Sequence, residues 1–225
     1  MPKESIEELQ YPEYWDKRYG GDDAEADKYD WLRSFSTIRP FLDKHLPPAS
    51  SNPRILQLGC GNSTLSKDLH DHGYTNQVSI DFSSTVISTM KTKHPNMDWQ
   101  VMDVRELRFS ANHFDVAIDK ATLDAMLHGS LWDPPADVKK NVRAYVDEID
   151  RVLKPGGKWL YITWRQPHFI RPLLQRPDFW TLQAEVLADD SGGGGVFEYY
   201  GYVMMKLEEA HDAEVVGVEK QEVVP

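Results

Sequence analysis

The chain has 225 residues and a formal charge of −11 at an isoelectric point near 5.1, which suits one domain able to bury roughly 70% of the surface its unfolded form exposes. Nucleic-acid binding draws on clustered Lys and Arg, so the acidic balance argues against direct contact with nucleic acid and favours a basic protein partner. The single cysteine, Cys60, cannot form an internal disulfide and fits a reducing compartment. The start, Met1–Glu8, is acidic and polar where a targeting peptide would be basic and then apolar. No apolar run is long enough to span a membrane. A cytoplasmic monomer without membrane contact is expected.

Residues 1–10 read as a flexible N-terminus, 11–207 as the domain, and 208–225 as an acidic, aperiodic tail expected to be disordered. Tyr11, Tyr14, Trp15 and Tyr19 fall at helical spacings, and a Gly-Gly-Asp-Asp break precedes Tyr29, Trp31 and Phe35. These predict short helices across the open edge of a sheet. Ser36 to His45 predicts another helix, stopped by Pro47-Pro48. Strands are predicted at Arg54–Leu58, Val78–Phe82, Trp99–Met102 and Phe114–Asp119, with helical patterns between most of them. Nearly continuous apolar character in the first and fourth is what a parallel sheet buried on both faces requires.

Val138–Leu153 predicts a strongly amphipathic helix, with Val142, Tyr145, Val146, Ile149, Val152 and Leu153 on one stripe and Pro155-Gly156-Gly157 ending it. A fifth strand, Lys158–Thr163, follows. Then Trp180–Leu187 and Val196–Leu207, joined by a glycine-rich loop, predict an antiparallel hairpin. A dinucleotide dehydrogenase would continue with a sixth parallel strand. The fold class expected is therefore α/β, a Rossmann-like seven-stranded methyltransferase sheet that is mostly parallel with an antiparallel C-terminal hairpin strand.

The segment Arg54-Ile-Leu-Gln-Leu-Gly-Cys-Gly-Asn-Ser63 runs an apolar strand into a Gly-x-Gly turn, and Asp81 closes the next strand. Side chains at Gly59 or Gly61 would block the backbone's approach to a nucleoside ligand, while the acid can accept from two ribose hydroxyls or, alternatively, cap the following helix. The third glycine of the diphosphate fingerprint is absent, since Thr64 stands there. S-adenosyl-L-methionine, which has no phosphate, fits this turn. Asp103 can accept from an adenine amino group beside the Val104 N–H, or cap a turn. Asp119 and Asp124, in Asp119-Lys-Ala-Thr-Leu-Asp124, sit at the carboxyl end of the fourth strand, where an open α/β sheet places its reactive groups. They are the candidate catalytic pair, orienting a cationic acceptor before any proton removal, although Asp124 also reads as a first-turn helix acid and Lys120 as a rim charge. No histidine has partners at ligand spacing, so no metal site is expected.

Tyr14-Trp15-Asp-Lys-Arg-Tyr19, Tyr29-Asp-Trp31, Leu58-Gly-Cys-Gly-Asn-Ser63, Ser79-Ile-Asp-Phe-Ser83, Met102-Asp-Val104 and Asp119-Lys-Ala-Thr-Leu-Asp-Ala125 together resemble the eukaryotic elongation factor 1A lysine methyltransferases, over roughly Tyr11 to Trp164. The resemblance implies protein-lysine N-methylation with S-adenosyl-L-methionine, elongation factor 1A being the basic protein substrate. It also implies that Trp15, Tyr19 and Trp31 close over the cofactor, that Gly59 lies beneath it beside the turn's Gly61, that Asp81 and Phe82 hold ribose and adenine, that Asp103 and Val104 hold adenine, and that Lys120 borders the methionine end. Ala121 departs from the family pattern, which has glycine there. Small-molecule methylation with the same cofactor residues is the alternative, and a non-catalytic binding module is a further one.

Overall fold

In a computed structural model, which describes residues 6–21, 32–187 and 198–208, seven strands form one sheet in the order β3-β2-β1-β4-β5-β7-β6. The strands are β1 (Ile55–Leu58), β2 (Gln77–Asp81), β3 (Asp98–Val101), β4 (Phe114–Lys120), β5 (Leu153–Thr163), β6 (Trp180–Leu187) and β7 (Tyr199–Lys206). The first five are parallel along the sheet, and β7 inserts antiparallel between β5 and β6. This is the expected fold class. The chain reverses sheet direction after β3, so the carboxyl ends of β1 and β4 flank the switch point, the usual ligand crevice of such sheets.

Helices cover both faces. Around the sheet lie α1 (Pro12–Tyr19), α2 (Phe35–His45), α3 (Leu65–Asp71), α4 (Ser84–Lys93), α5 (Thr122–Met126), α6 (Ala136–Val152) and α7 (Pro167–Leu174). On one face the stripe of α6, including Tyr145, Val146 and Ile149, packs with Leu56, Ala117, Trp159 and Tyr161. On the other, Ile38, Phe41 and Leu42 of α2 meet Val116, Ile118, Leu160 and Ile162. Alternate residues of β4 and β5 thus feed opposite cores, which is why these strands show no polar alternation. A smaller cluster joins Cys60 to Val86, Ile87, Met90 and Trp99 under α4. Cys60 is buried there, and burial, with the Asp81 charge second, pushes its thiol well above the ordinary range; it is a packing group.

Two boundaries differ from expectation. A 3-10 helix, Ile6–Gln10, precedes α1, and Gln10 is buried, so packing begins before Tyr11. Beyond the fourth strand, α6 ends at Val152, one residue from the expected Leu153, but β5 begins at Leu153 rather than at Lys158, because Leu153 turns extended and pairs with Phe114. A register shift between Phe114 and Val116 then absorbs Lys154 to Gly157 before β4 and β5 pair again at Val116 and Lys158. Trp31, Tyr29 and the tail beyond Glu208 lie outside the described residues.

The turn from β4 into α5 passes through Ala121 at φ 70°, ψ 6°. This left-handed conformation costs a non-glycine residue roughly 1–2 kcal/mol, so the chain keeps a glycine-like turn at the position where the resembling family has glycine. Ala121→Gly is expected to raise stability by up to about 1 kcal/mol, the relieved strain being partly offset by the freer unfolded chain. Urea unfolding checks this, and a lower midpoint at unchanged slope would show that the turn is unstrained.

Candidate active site

The site begins where β1 ends. The chain leaves Leu58 through Gly59 at φ 53° and Gly61 at φ 52°, a backbone that costs glycine no steric penalty. A methyl group at Gly59 would stand 2.3 Å from Thr122 Oγ1, and one at Gly61 would stand 2.8 Å from the Tyr19 hydroxyl. The turn is therefore clasped by α5 and α1. Thr122 completes the clasp by donating its hydroxyl to the Leu58 carbonyl at 2.9 Å.

At the end of β2, Asp81 accepts from the N–H of Gly61 at 2.9 Å and from that of Ser83 at 2.9 Å. Burial pushes its carboxyl up to about 6, nearby Asp16 adds to the rise, and the two N–H donors oppose it. Each oxygen keeps acceptor capacity beyond its one N–H. Nearby in the same cavity, Gln57 interrupts the apolar β1; it is buried, and its Oε1 has no hydrogen-bond partner among the described residues. A buried acceptor in that condition fits a ligand that brings an N–H donor.

The N-terminal aromatics close over this cradle. Trp15 donates Nε1 to the Leu9 carbonyl at 2.7 Å and stacks on Tyr19 at 5.7 Å between centroids. Asp16 fixes α1 to the start of α4, accepting from the Ser83 hydroxyl at 2.6 Å and the Thr85 N–H at 3.2 Å; chiefly through the Ser83 bond its carboxyl is held below the ordinary range. Burial, with the Asp81 charge second, holds the Tyr19 phenol far above its ordinary value, so it stays neutral.

Asp103 is engaged by Arg105, which donates its backbone N–H at 2.8 Å and grips the carboxylate through Nε at 3.0 and 3.1 Å and a terminal nitrogen at 2.6 Å. Arg105 donates onward to Asn141 Oδ1 at 3.2 Å, Asn141 donates to Gln10 Oε1 at 3.2 Å, and the Gln10 amide nitrogen faces His128 Nε2 at 3.3 Å. A hydrogen-bonded chain thus links Asp103 to the 3-10 helix at the cavity roof.

Asp119 is fully buried beneath the floor and does not line the cavity. It caps α5, accepting from Thr122 N at 2.7 Å and Leu123 N at 3.1 Å, and it takes the Tyr145 hydroxyl at 2.8 Å. Burial pushes its carboxyl up to about 7 against those donors. Asp124 does line the cavity, yet it accepts from the Tyr161 and Thr163 hydroxyls at 2.8 Å each and from Arg165 Nε at 3.1 Å. Burial raises its carboxyl pKa above the ordinary value, with the Arg165 charge the largest opposing influence. The two acids expected as a catalytic pair are thus a helix cap below the site and one half of a buried ion pair at its wall.

One cavity of about 540 Å³ joins these parts, within the range of small-ligand sites. Trp15, Tyr19, Gly59, Gly61, Asp81 and Phe82 line it, as do Asp103, Val104, Lys120 and Asp124. Sequence reasoning left Gln57, Arg165, Trp164, Tyr199 and the roof residues Leu9 and Gln10 unassigned, although all line the same space. Only Gln57, a lone amide within a buried strand, carried a signal in the sequence.

The methyltransferase domain family matches residues 56–161. EEF1A lysine methyltransferase 4 of Mus musculus is 36% identical over 212 residues, covering 92% of this chain and 79% of that protein. The eEF1A lysine and N-terminal methyltransferase of Homo sapiens is 34% identical over 175 residues, 76% of this chain and 24% of that larger protein. Among solved structures, the N-methyltransferase NodS from Bradyrhizobium japonicum WM9, in complex with S-adenosyl-L-homocysteine, superposes with a TM-score of 0.56 at 14% identity, covering 87% of this chain and 98% of NodS. The chain belongs to the EEF1A lysine methyltransferase 4 family and is an S-adenosylmethionine-dependent methyltransferase.

Proposed function

We propose that the enzyme methylates a lysine side chain of translation elongation factor 1A in the cytoplasm. The names of its relatives support the substrate, and the observation that carries the reading is the single cavity running from the Asp81–Gln57 cradle to the Asp124–Arg165 wall at the carboxyl ends of β4 and β5. The net charge of −11 favours encounter with a basic protein.

Bound there, S-adenosyl-L-methionine supplies an electrophilic methyl group on a positively charged sulfur. Asp81 accepts from the ribose hydroxyls through its remaining lone pairs, and Gln57 Oε1 accepts from the ammonium of the amino-acid end. Asp103, held in place by Arg105, keeps capacity for the adenine amino group, with Phe82 and Val104 beside the ring. Trp15 and Tyr19 exclude water above, and Lys120 borders the methionine end. Asp124 is already neutralised by Arg165, so it shapes the acceptor wall, and the lysine arrives as the neutral amine after losing its proton to solvent. Asp119 acts through α5, whose Thr122 supports the glycine turn; it is a positioning residue.

Three outcomes are expected. Asp81 accepts from ribose best when ionised, and its carboxyl sits raised to about 6 in the cofactor-free protein, so cofactor affinity should be full above about pH 7 and fall as pH drops through 6. In Asp81→Asn affinity should be lower by about 2–4 kcal/mol and nearly independent of pH between 5 and 7. Calorimetric titrations across that range decide it, and a flat profile in the parent would remove Asp81 from the ribose site.

Asp16→Ala removes the bonds that fix α1 to α4. Cofactor binding should weaken about tenfold, on the order of 1.4 kcal/mol, while thermal unfolding stays cooperative. Unchanged affinity would mean that α1 is not a lid.

Purified elongation factor 1A incubated with the enzyme and labelled cofactor should acquire label on lysine, mapped by mass spectrometry. Turnover at subsaturating substrate should fall as salt rises, since steering is screened over roughly 8–10 Å. Label confined to a small metabolite of a cell extract would establish the small-molecule alternative.

A further inference from the structure

We propose that Trp164, Tyr199 and Leu32 form the port through which the acceptor's alkylamine side chain enters the cavity, an inference that rests on the lysine reading above. Thr163 at the end of β5 pairs with Tyr200, and Ile162 pairs with Gly201. Trp164 follows the last residue of β5 and Tyr199 is the first residue of β7, so the two lie at the same end of the paired strands. Both rings line the cavity, yet Trp164 is 45% exposed and Tyr199 is half-buried. Each ring thus spans the boundary between cavity and solvent.

Both rings already carry a cation. The Arg33 guanidinium lies 4.1 Å from the Tyr199 ring centroid, and that of Arg165 lies 5.1 Å from the Trp164 ring. The electron-rich faces of such rings attract positive charge, and their flat surfaces take methylene chains. Leu32 supplies the third wall at φ 67°. A bulky residue with positive φ is strained, and such strain persists only where surrounding structure enforces it. Here it is enforced by Leu32 packing against the α2 core while Arg33 lies over Tyr199.

A lysine side chain has the complementary shape and charge: four methylenes for the ring faces, and a terminal nitrogen that enters as a cation. Once past the rings it meets Lys120 and Arg165 on the cavity wall, and the carboxylate there, Asp124, is already paired with Arg165. The port therefore takes the methylene stem along the ring faces, and the amine reaches the cavity neutral after leaving its proton to solvent, the form that methyl transfer requires.

The test compares the parent with Trp164→Ala, Tyr199→Ala and Trp164→Phe, using elongation factor 1A as acceptor and calorimetry for the cofactor. Both alanine variants should raise KM for the acceptor tenfold or more, with a smaller effect on kcat and cofactor affinity within twofold. Trp164→Phe should restore KM to within threefold of the parent. Unchanged KM in both alanine variants, or a loss of cofactor affinity matching the rise in KM, overturns the port. A second arm titrates n-butylamine into protein loaded with S-adenosyl-L-homocysteine and follows by NMR the indole N–H resonance that Trp164→Phe deletes. The resonance should shift on titration, and a resonance that stays fixed overturns the port. If the parent leaves elongation factor 1A unlabelled, the substrate reading fails, and the butylamine arm still decides the port.

Discussion

Three carboxylates, Asp81, Asp119 and Asp124, are buried at the carboxyl edge of a sheet whose strands are themselves covered on both faces. Removing an ionised carboxylate from water costs several kcal/mol unless donors replace the lost solvent. The site's architecture is largely the set of donors that do so. Asp81 draws Gly61 and Ser83 N–H groups toward it, which fixes the glycine turn and the start of α4. Asp119 takes the first N–H groups of α5 together with a hydroxyl from α6. Asp124 binds two hydroxyls of β5 and the guanidinium of Arg165. Each acid thus joins separate elements, and the cavity is the space left between them.

Desolvation outweighs these donors for all three, since each carboxyl titrates above its ordinary value. A raised folded value means that the group's contribution to stability is fully present below its unfolded pKa and is lost as pH rises through its folded value. For Asp81 and Asp119 that window runs from about 4 to about 6 and 7, respectively. Neutral solution therefore holds a cofactor-free protein strained at these positions. At Asp81 the strain can be relieved by ligand donors, because the carboxylate faces the cavity. At Asp119 it cannot, because the carboxylate lies outside the cavity lining, and among the described residues its charge is answered by α5 and Tyr145.

Much of this was legible in the sequence, and the reason differs by element. Parallel strands buried on both faces must be apolar throughout, so Arg54–Leu58 and Phe114–Asp119 announced both themselves and their layer. Asp81 was legible because a glycine turn and an acid at the next strand end serve one ligand. Asp119 was not, since its role depends on Tyr145 reaching it from a helix 26 residues downstream, a distance that no local pattern encodes. Nor was the pairing of Asp124 with Arg165, which lies across the end of β5. The end of α6 was legible to within one residue, whereas the fifth strand begins at Leu153 rather than at Lys158 because Leu153 gains a strand partner in Phe114, a pairing that no local pattern encodes.

The chain from Asp103 through Arg105, Asn141 and Gln10 to His128 bears on how binding and closure relate. Arg105 is donor-only, so it presents its N–H to Asn141 Oδ1, which leaves Asn141 its amide N–H for Gln10 Oε1 and turns the Gln10 amide nitrogen toward His128. The orientation of each amide is therefore set by the one before it, starting at the adenine end. His128 Nε2 must accept to complete this chain, while Asp137 Oδ2, 3.0 Å from the same nitrogen, can only accept. The two partners compete for one ring nitrogen: a hydrogen there serves Asp137, and its absence serves Gln10. Since Gln10 and the adjoining Leu9 line the cavity, and Leu9 receives the Trp15 indole, the roof above the cofactor site and the ring nitrogen of His128 that carries the hydrogen are tied through the same five side chains.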